Sequence, residues 1–231
     1  MLILNYHRVG TPPPNARYKG MYVDPKILRW QIYLLKKRKM KFVTVTQGLK
    51  SGCSSNLVAV TFDDGYLDNF LEGMPVLREL GVPATVYMVT GSVGKTNIVW
   101  DEAGDKNPGD LMSWNHLKSL NDLGWEIGSH ASEHVHLARR SRDDQKKIIE
   151  KSWSDFKENL GFYPQSFAYP YGSQNLDTLS VLEELQCQSA VTIDHSGSNT
   201  ALTPPLLLYR QSAKGYSVRH YFKSLSLLWQ A

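Results

Sequence analysis

The chain has 231 residues, of which 42% are hydrophobic and 21% are charged, and its formal net charge is +4. These values are ordinary for a globular protein, and they exclude a chain that is disordered as a whole. The mild positive charge does not indicate nucleic-acid binding, because the visible basic cluster at residues 36–41 closes a predicted helix, where cations complement the helix dipole.

Short apolar segments rich in β-branched residues alternate with longer segments of helical periodicity. The pattern predicts strands at residues 1–6, 42–46, 57–62, 84–89, 125–129, 166–169, 189–193 and 206–211. It predicts helices at residues 25–39, 67–80, 113–123, 142–160 and 175–186, with a final one at 217–229.

Alternation of strands and helices is typical of a parallel sheet covered by helices. With eight candidate strands, we predict an α/β fold, an irregular or incomplete (β/α) barrel of seven to eight mainly parallel strands, rather than a doubly wound open sheet. Residues 1–231 are expected to form a single domain. Two long polar loops, 10–23 and 91–112, are expected to border a site.

Cys53 and Cys187 are too few for a disulfide framework and lie in unlike contexts, so both are expected to be free thiols. The first ten residues, MLILNYHRVG, lack the basic region of a signal peptide and are too short for a membrane span. We therefore expect no transmembrane segment, and a cytoplasmic location unless a leader has been removed. The sequence does not indicate an oligomeric state.

Side chains with catalytic chemistry follow three of the predicted strands. His7 follows the first strand, Asp63 and Asp64 follow the third, and His130 and His134 follow the fifth. The active sites of such folds lie at the carboxyl ends of the strands, so the topology would collect these groups on one face.

Two imidazoles and one carboxylate form a three-ligand set, which for Zn²⁺ leaves a position open for water. His130 and His134 are four residues apart, so one helical turn or a tight loop could direct both to one point. One of the adjacent aspartates would complete the set, and the other could act as a base. Two alternatives remain from the residues alone: Asp64-Gly65 is a common turn dipeptide, and histidines at this spacing often lie on a surface.

Three short motifs resemble, in order, the first three motifs of the polysaccharide deacetylases, the NodB-homology or carbohydrate esterase family 4 group. They are TFDDG at 61–65, SHASEH at 129–134 and FAYPYG at 167–172. The resemblance covers about residues 57–195. It implies an irregular (β/α) barrel and metal-dependent removal of acetyl groups from polysaccharides such as chitin, peptidoglycan or poly-N-acetylglucosamine. N-deacetylation, the hydrolysis of an amide bond that is not a peptide bond, is the expected reaction.

The resemblance also implies roles for individual residues. Asp63 matches the general base, and Asp64, His130 and His134 match the metal ligands. Tyr171 matches the residue whose backbone N–H helps to hold the oxyanion. The implied cofactor is one divalent metal ion, zinc by preference, with cobalt, nickel, iron and manganese as alternatives. The implied partner is an acetylated glycan.

Two departures from the family pattern matter. The third motif usually carries an arginine where this chain has Ala168, so the group that orients the base must come from elsewhere, with Arg210 and Arg8 as candidates. The family's last motif, which supplies a general acid, is not visible near the end of the sequence. Instead, LILNYHRV at 2–9 resembles that strand moved to the front. This order is expected of the circularly permuted branch, which resembles poly-β-1,6-N-acetylglucosamine deacetylases, and it implies His7 as the acid.

Aromatic side chains near strand ends are candidates for stacking on sugar rings, and packing is the alternative for each of them. These candidates are Tyr6, Tyr169, Tyr171, Trp100 and Trp114, and Arg210 is added as a further substrate-binding candidate.

Two other functions fit parts of the sequence. HASEH at 130–134 fits the H-x-x-E-H signature of inverted zinc metallopeptidases, with Glu133 as the base, provided that the segment is helical. A carbohydrate-binding barrel that has lost catalysis is the second alternative, because the motif arginine is missing. Metal analysis would distinguish such a scaffold from an enzyme.

Overall fold

The computed structural model describes residues 1–96, 109–194 and 197–213. Its strands are β1 (Leu2–Tyr6), β2 (Arg8–Val9), β3 (Tyr22–Val23), β4 (Lys41–Val43), β5 (Leu57–Phe62), β6 (Thr85–Met88), β7 (Glu126–Ser129), β8 (Ser166–Ala168), β9 (Ser189–Val191) and β10 (Gln211–Ser212). Its α-helices are α1 (Pro25–Lys37), α2 (Val45–Lys50), α3 (Met74–Glu79), α4 (Trp114–Asp122), α5 (Arg142–Leu160) and α6 (Leu176–Glu184).

Eight strands form one curled sheet in the order β10-β1-β5-β6-β7-β8-β9, and every pairing within it is parallel. The eighth strand, β4, pairs with the first half of β5, and β6 pairs with its second half. The segment 208–213 bridges the two edges, since Leu208 pairs with Val191 of β9 and Gln211 pairs with Leu4 of β1. The predicted incomplete barrel of mainly parallel strands is confirmed.

The strands form because their side chains can be buried on both faces of the sheet. Successive strand residues point to opposite sides. Leu4 and Phe62 therefore point outward into the same cluster as Leu28 of α1, while Ile3 and Ala59 point into the barrel. The interior cluster contains Met1, Ile3, Val45, Cys53, Leu57, Ala59, Tyr87, Ala168, Val191 and Leu208.

The predicted strand at 42–46 is too long. The strand ends at Val43, and the next residue, Thr44, caps helix α2. The Thr44 hydroxyl accepts a hydrogen bond from the Gln47 backbone N–H, and the Gln47 side chain accepts one from the Thr44 N–H. This reciprocal pair is a capping box, and it starts a helix where the β-branched residues alone favour a strand.

The predicted strand at 206–211 is also wrong in most of its length. Pro205–Leu207 form a 3₁₀ turn, because proline cannot donate a backbone hydrogen bond to a sheet ladder and has a fixed φ suited to a helical turn. The strand is confined to Gln211–Ser212. The helix predicted at 217–229 lies outside the described residues.

The remaining helices follow the prediction closely. Helix α5 begins after Ser141, whose hydroxyl accepts a hydrogen bond from the Asp144 N–H, and ends at Gly161, which has a φ of 81°. The predicted helix at 67–80 begins at residue 67 as expected, passes through a π-helical turn at Asn69–Gly73 and continues into α3. Within the described part of the chain, no helix is both long enough and apolar enough to cross a bilayer.

Candidate active site

The inward-facing series of β5 leads directly to the first aspartate. Ala59, Thr61 and Asp63 alternate along the chain, and the Asp63 backbone N–H donates the last bond of the ladder to the Tyr6 carbonyl, at 3.0 Å. Asp64 then takes a left-handed conformation with a φ of 70°. This backbone turn allows two neighbouring carboxylates to serve the same cavity, which a continuing strand would forbid.

Asp64 lies beside both histidines of the SHASEH motif. Its Oδ1 is 3.5 Å from Nε2 of His130 and 3.3 Å from Nε2 of His134. One ligand atom from each of the three residues lies within 4.8 Å of the others. Ligand atoms about 2.0–2.1 Å from a tetrahedral metal are about 3.4 Å apart, so the donor set and its two measured separations fit Zn²⁺ or a similar divalent cation.

His130 is oriented by the third motif. Its Nδ1 lies 2.7 Å from the backbone carbonyl oxygen of Ala168. A carbonyl only accepts, so Nδ1 carries a proton, and Nε2 is the nitrogen that faces Asp64 and that offers its lone pair to a cation when the imidazole is neutral. Metal-ligating histidines characteristically donate their other ring N–H in this way.

The three side chains perturb one another's protonation. Burial alone would raise the pKa of Asp64, but hydrogen bonds from His130 and His134 hold that pKa well below its usual value. Burial lowers the pKa of His134. Burial would also lower the pKa of His130, but Asp64 and Asp63 raise it above the usual value. Asp64 is therefore ionised at neutral pH, as a metal ligand must be.

Asp63 is held by Arg210 rather than by the candidate metal ligands. Arg210 Nη1 donates to Asp63 Oδ1 and Nη2 donates to Oδ2, both at 2.7 Å. Arg210 is 0% exposed, and its Nε donates to the Thr192 carbonyl at 2.8 Å. Burial would raise the pKa of Asp63, but the charge and hydrogen bonds of Arg210 keep it below its usual value.

The alternative arginine does not reach this carboxylate. Arg8 pairs instead with Asp68, at 2.9 Å. Of the two candidate arginines, Arg210, brought in by the segment that bridges the barrel edges, is thus the one that holds Asp63. The expectation that Arg210 binds substrate is not supported, since its side chain is fully buried.

His7 lies on the open side of Asp63. Its Nε2 is 4.0 Å from Asp63 Oδ2, and its side chain is 32% exposed. Both groups line a pocket of about 830 Å³, together with the three candidate metal ligands. Tyr18 and Met21 from the loop 10–23 line the same pocket, so this loop does border the site.

Tyr171 forms part of the pocket wall with its ring exposed. The ring stacks on His136 at a centroid distance of 4.2 Å and meets His134 edge-on at 4.3 Å. Its φ of 57° is left-handed. The ring is 39% exposed and can offer a face to a ligand in the pocket.

The other aromatic candidates divide between core and wall. Tyr6 is 1% exposed, and its hydroxyl donates to Gln31, so it packs in the core and its expected contact with substrate is not supported. Trp114 packs edge-on against Phe156. Tyr169 lines the pocket with most of its ring buried. Trp100 lies outside the described residues.

Two pocket residues, Arg139 and Arg140, were missed by sequence reasoning. His136, Arg139 and Arg140 line the wall beyond His134. The 3₁₀ turn Leu137–Arg139 turns the chain back towards the pocket, and the sequence carries no local signal for that turn beyond its place after SHASEH.

The metallopeptidase alternative is not supported by the conformation of residues 130–134. Ala131 has a φ of 64°, and the segment is a loop rather than the helix that the H-x-x-E-H signature requires. Glu133 is exposed and does not line the pocket.

Comparison with known proteins agrees with the site. A family profile described as polysaccharide deacetylase matches residues 50–190. The chain belongs to the polysaccharide deacetylase family. YxkH of Bacillus subtilis (strain 168), whose name carries the same family term, is 28% identical over 141 residues, which cover 61% of this chain and 46% of YxkH.

A second relative matches along more of the chain. It is the poly-beta-1,6-N-acetyl-D-glucosamine N-deacetylase of Staphylococcus aureus (strain MRSA252), which is 25% identical over 234 residues, covering 90% of this chain and 78% of the relative. The expected similarity to poly-β-1,6-N-acetylglucosamine deacetylases is thereby confirmed.

Solved structures share the fold over nearly the whole chain. IcaB from Ammonifex degensii superposes with a TM-score of 0.80 at 23% identity, covering 100% of this chain and 97% of that one. The Streptococcus pyogenes deacetylase PplD gives a TM-score of 0.78 at 22% identity, with 97% of each chain covered.

Proposed function

We propose that this chain is a metal-dependent deacetylase that removes N-acetyl groups from a poly-N-acetylglucosamine-like glycan. One observation carries the proposal: a three-ligand cluster, Asp64, His130 and His134, shares a pocket with a second carboxylate, Asp63, and with His7, 4.0 Å from Asp63. Relatives named as poly-beta-1,6-N-acetyl-D-glucosamine N-deacetylases support this substrate class.

Asp64, His130 and His134 would hold one divalent cation, and their two nitrogens and one oxygen favour zinc. When bound, the ion would act as a Lewis acid towards the acetamide carbonyl and would make water more acidic. The protein prepares the ligands before binding, because the Ala168 carbonyl fixes the tautomer of His130.

Asp63 acts as the general base. Arg210 holds both of its oxygens, so the carboxylate is ionised and fixed in orientation at neutral pH. A carboxylate that is kept out of the ligand set retains a lone pair for the proton of an attacking water.

His7 acts as the general acid. An amine is a poor leaving group unless it is protonated, so an acid separate from the base is needed to complete amide hydrolysis. His7 lies next to Asp63 with its ring partly open to the pocket, and it can deliver a proton to the departing nitrogen. The backbone N–H of Tyr171 donates to the oxyanion, a contribution on the order of 3 kcal/mol for a single such donor.

Acetate release from defined N-acetylglucosamine oligomers tests the proposal. We expect release that is abolished by a chelator and restored by adding back Zn²⁺, with about one metal bound per chain. An O-acetylated xylan tested in parallel separates N- from O-deacetylation. Failure to bind metal and to release acetate would support the inactive-barrel alternative.

A further inference from the structure

Strand β1 ends at Tyr6, so His7 lies just beyond the end of the strand. The paired register of β1 and β5 ends at Tyr6 and Phe62, and the last ladder bond runs from the Asp63 N–H to the Tyr6 carbonyl. His7 and Asp63 therefore lie beyond the ladder, and their side-chain separation of 4.0 Å needs another support.

Asn69 supplies one such contact. Its side chain is 0% exposed, and its Nδ2 donates to the His7 carbonyl at 2.8 Å and to Asp68 Oδ1 at 3.0 Å. Both partners are acceptors, so the amide has one orientation that satisfies them. Asn69 stands at the start of the π-helical turn that follows the two aspartates.

Asp68 supplies two more contacts on the next two residues of the same segment. Its Oδ2 accepts from Arg8 Nε at 2.9 Å, and its Oδ1 accepts from the Val9 backbone N–H at 3.0 Å. The Arg8 guanidinium also lies over the rings of Tyr22 and Tyr66, at 4.8 and 4.5 Å from their centroids. Residues 7–9 are thus held, one after another, by two side chains of the segment that carries Asp63.

We propose that Asp68 and Asn69 are positioning residues that fix His7 relative to Asp63. The inference rests on the proposed role of His7 as the general acid. A proton is delivered to a leaving nitrogen only from hydrogen-bond distance, and a displacement of about 1 Å can reduce turnover by about 10²-fold. A misplaced acid slows departure of an amine, but it does not slow departure of a phenolate, which needs no proton.

The test compares an amide and an aryl ester on the same variants. Asn69→Asp is nearly isosteric, removes both donors, and sets a third acceptor against the His7 carbonyl and the Asp68 carboxylate. We expect kcat on an N-acetylglucosamine oligomer to fall about 10²-fold with KM within about twofold. Hydrolysis of para-nitrophenyl acetate and the bound zinc content should both stay close to wild type. The exposed Asn115→Asp on α4 is the matched control.

Asp68→Asn is the second variant and answers the question if Asn69→Asp does not fold. It keeps an acceptor for the Val9 backbone N–H but loses the charge that pairs with Arg8. We therefore expect a selective loss of activity on the amide that is smaller than the loss in Asn69→Asp. Equal losses on both substrates, or no loss on the amide, would overturn the inference. His7→Gln distinguishes failure of the positioning role from failure of the acid role. If His7→Gln shows no selective loss on the amide, the acid role of His7 fails as well. If His7→Gln shows the selective loss and neither Asn69→Asp nor Asp68→Asn shows it, only the positioning role fails.

Discussion

Replacing Arg210 with glutamine should destabilise the fold as well as the site. The substitution removes the two donors that hold Asp63, each at 2.7 Å, and leaves a carboxylate that is 2% exposed without its cation. Removing one partner of a buried ion pair costs about 3–5 kcal/mol. Two charge-assisted hydrogen bonds at about 1.5–3 kcal/mol each give a similar figure.

The pH dependence of this effect has a definite sign. In the wild type the folded pKa of Asp63 is lowered, so the pair stabilises the fold above the unfolded value of about 3.9 and is lost as the pH falls through the folded pKa. In Arg210→Gln, burial without the cation raises that pKa. The penalty is then complete above the raised pKa and shrinks as the pH falls towards about 3.9.

Urea unfolding in chelator-treated buffer measures the free energy of unfolding and its dependence on pH. Arg29→Gln is the matched control. Arg29 also donates two hydrogen bonds to one carboxylate, that of Glu79, at 2.5 and 2.7 Å, but this pair lies on an exposed surface where water and salt screen it. The double variant Asp63→Asn/Arg210→Gln should recover part of the loss, since it leaves no buried charge. If Arg210→Gln is no more destabilising than Arg29→Gln, the pair is not the support that we describe.

Four other substitutions give separate outcomes. Asp63→Asn should keep its bound zinc by elemental analysis while acetate release falls about 10²–10⁴-fold, whereas His134→Ala should lose both; an active Asp63→Asn would remove the base assignment. Gly128→Ala would place a methyl carbon 2.6 Å from the buried Tyr87 ring, so the free energy of unfolding should fall by about 1–3 kcal/mol, and an unchanged value would mean that the ring can move. Tyr6→Phe removes the hydrogen bond to Gln31, so the free energy of unfolding should fall by about 1–3 kcal/mol while KM stays unchanged. A raised KM would instead support the contact between Tyr6 and the glycan that the sequence predicts.

Local patterns were sufficient for much of the fold. Strand β5 and helix α5 have the predicted bounds, because a fully buried apolar run marks the strand, and a serine cap and a glycine stop mark the helix. The cluster of Asp64, His130 and His134 also forms as expected, since parallel strands bring their carboxyl ends to one edge.

Contacts between segments far apart in the sequence could not be predicted from local patterns. Arg210 and Arg8 were both candidates to orient Asp63, and the sequence did not choose between them, because Arg210 is separated from Asp63 by 147 positions. The left-handed backbone of Asp64 and the clamp on residues 7–9 depend on tertiary packing, which has no sequence period. The strand prediction failed at Thr44 because the two side-chain hydrogen bonds of a capping box outweighed a β-branched pattern.

The guanidinium beside Asp63 comes from a segment outside the three sequence motifs. At residue 168, where the resemblance implies an arginine, this chain has a buried methyl group, while the carbonyl of the same residue accepts from His130. A motif comparison made column by column would score this chain as defective. A comparison of atoms in space would score it as intact, and relatives that carry alanine at this column deserve a search for a displaced arginine before they are set aside as inactive.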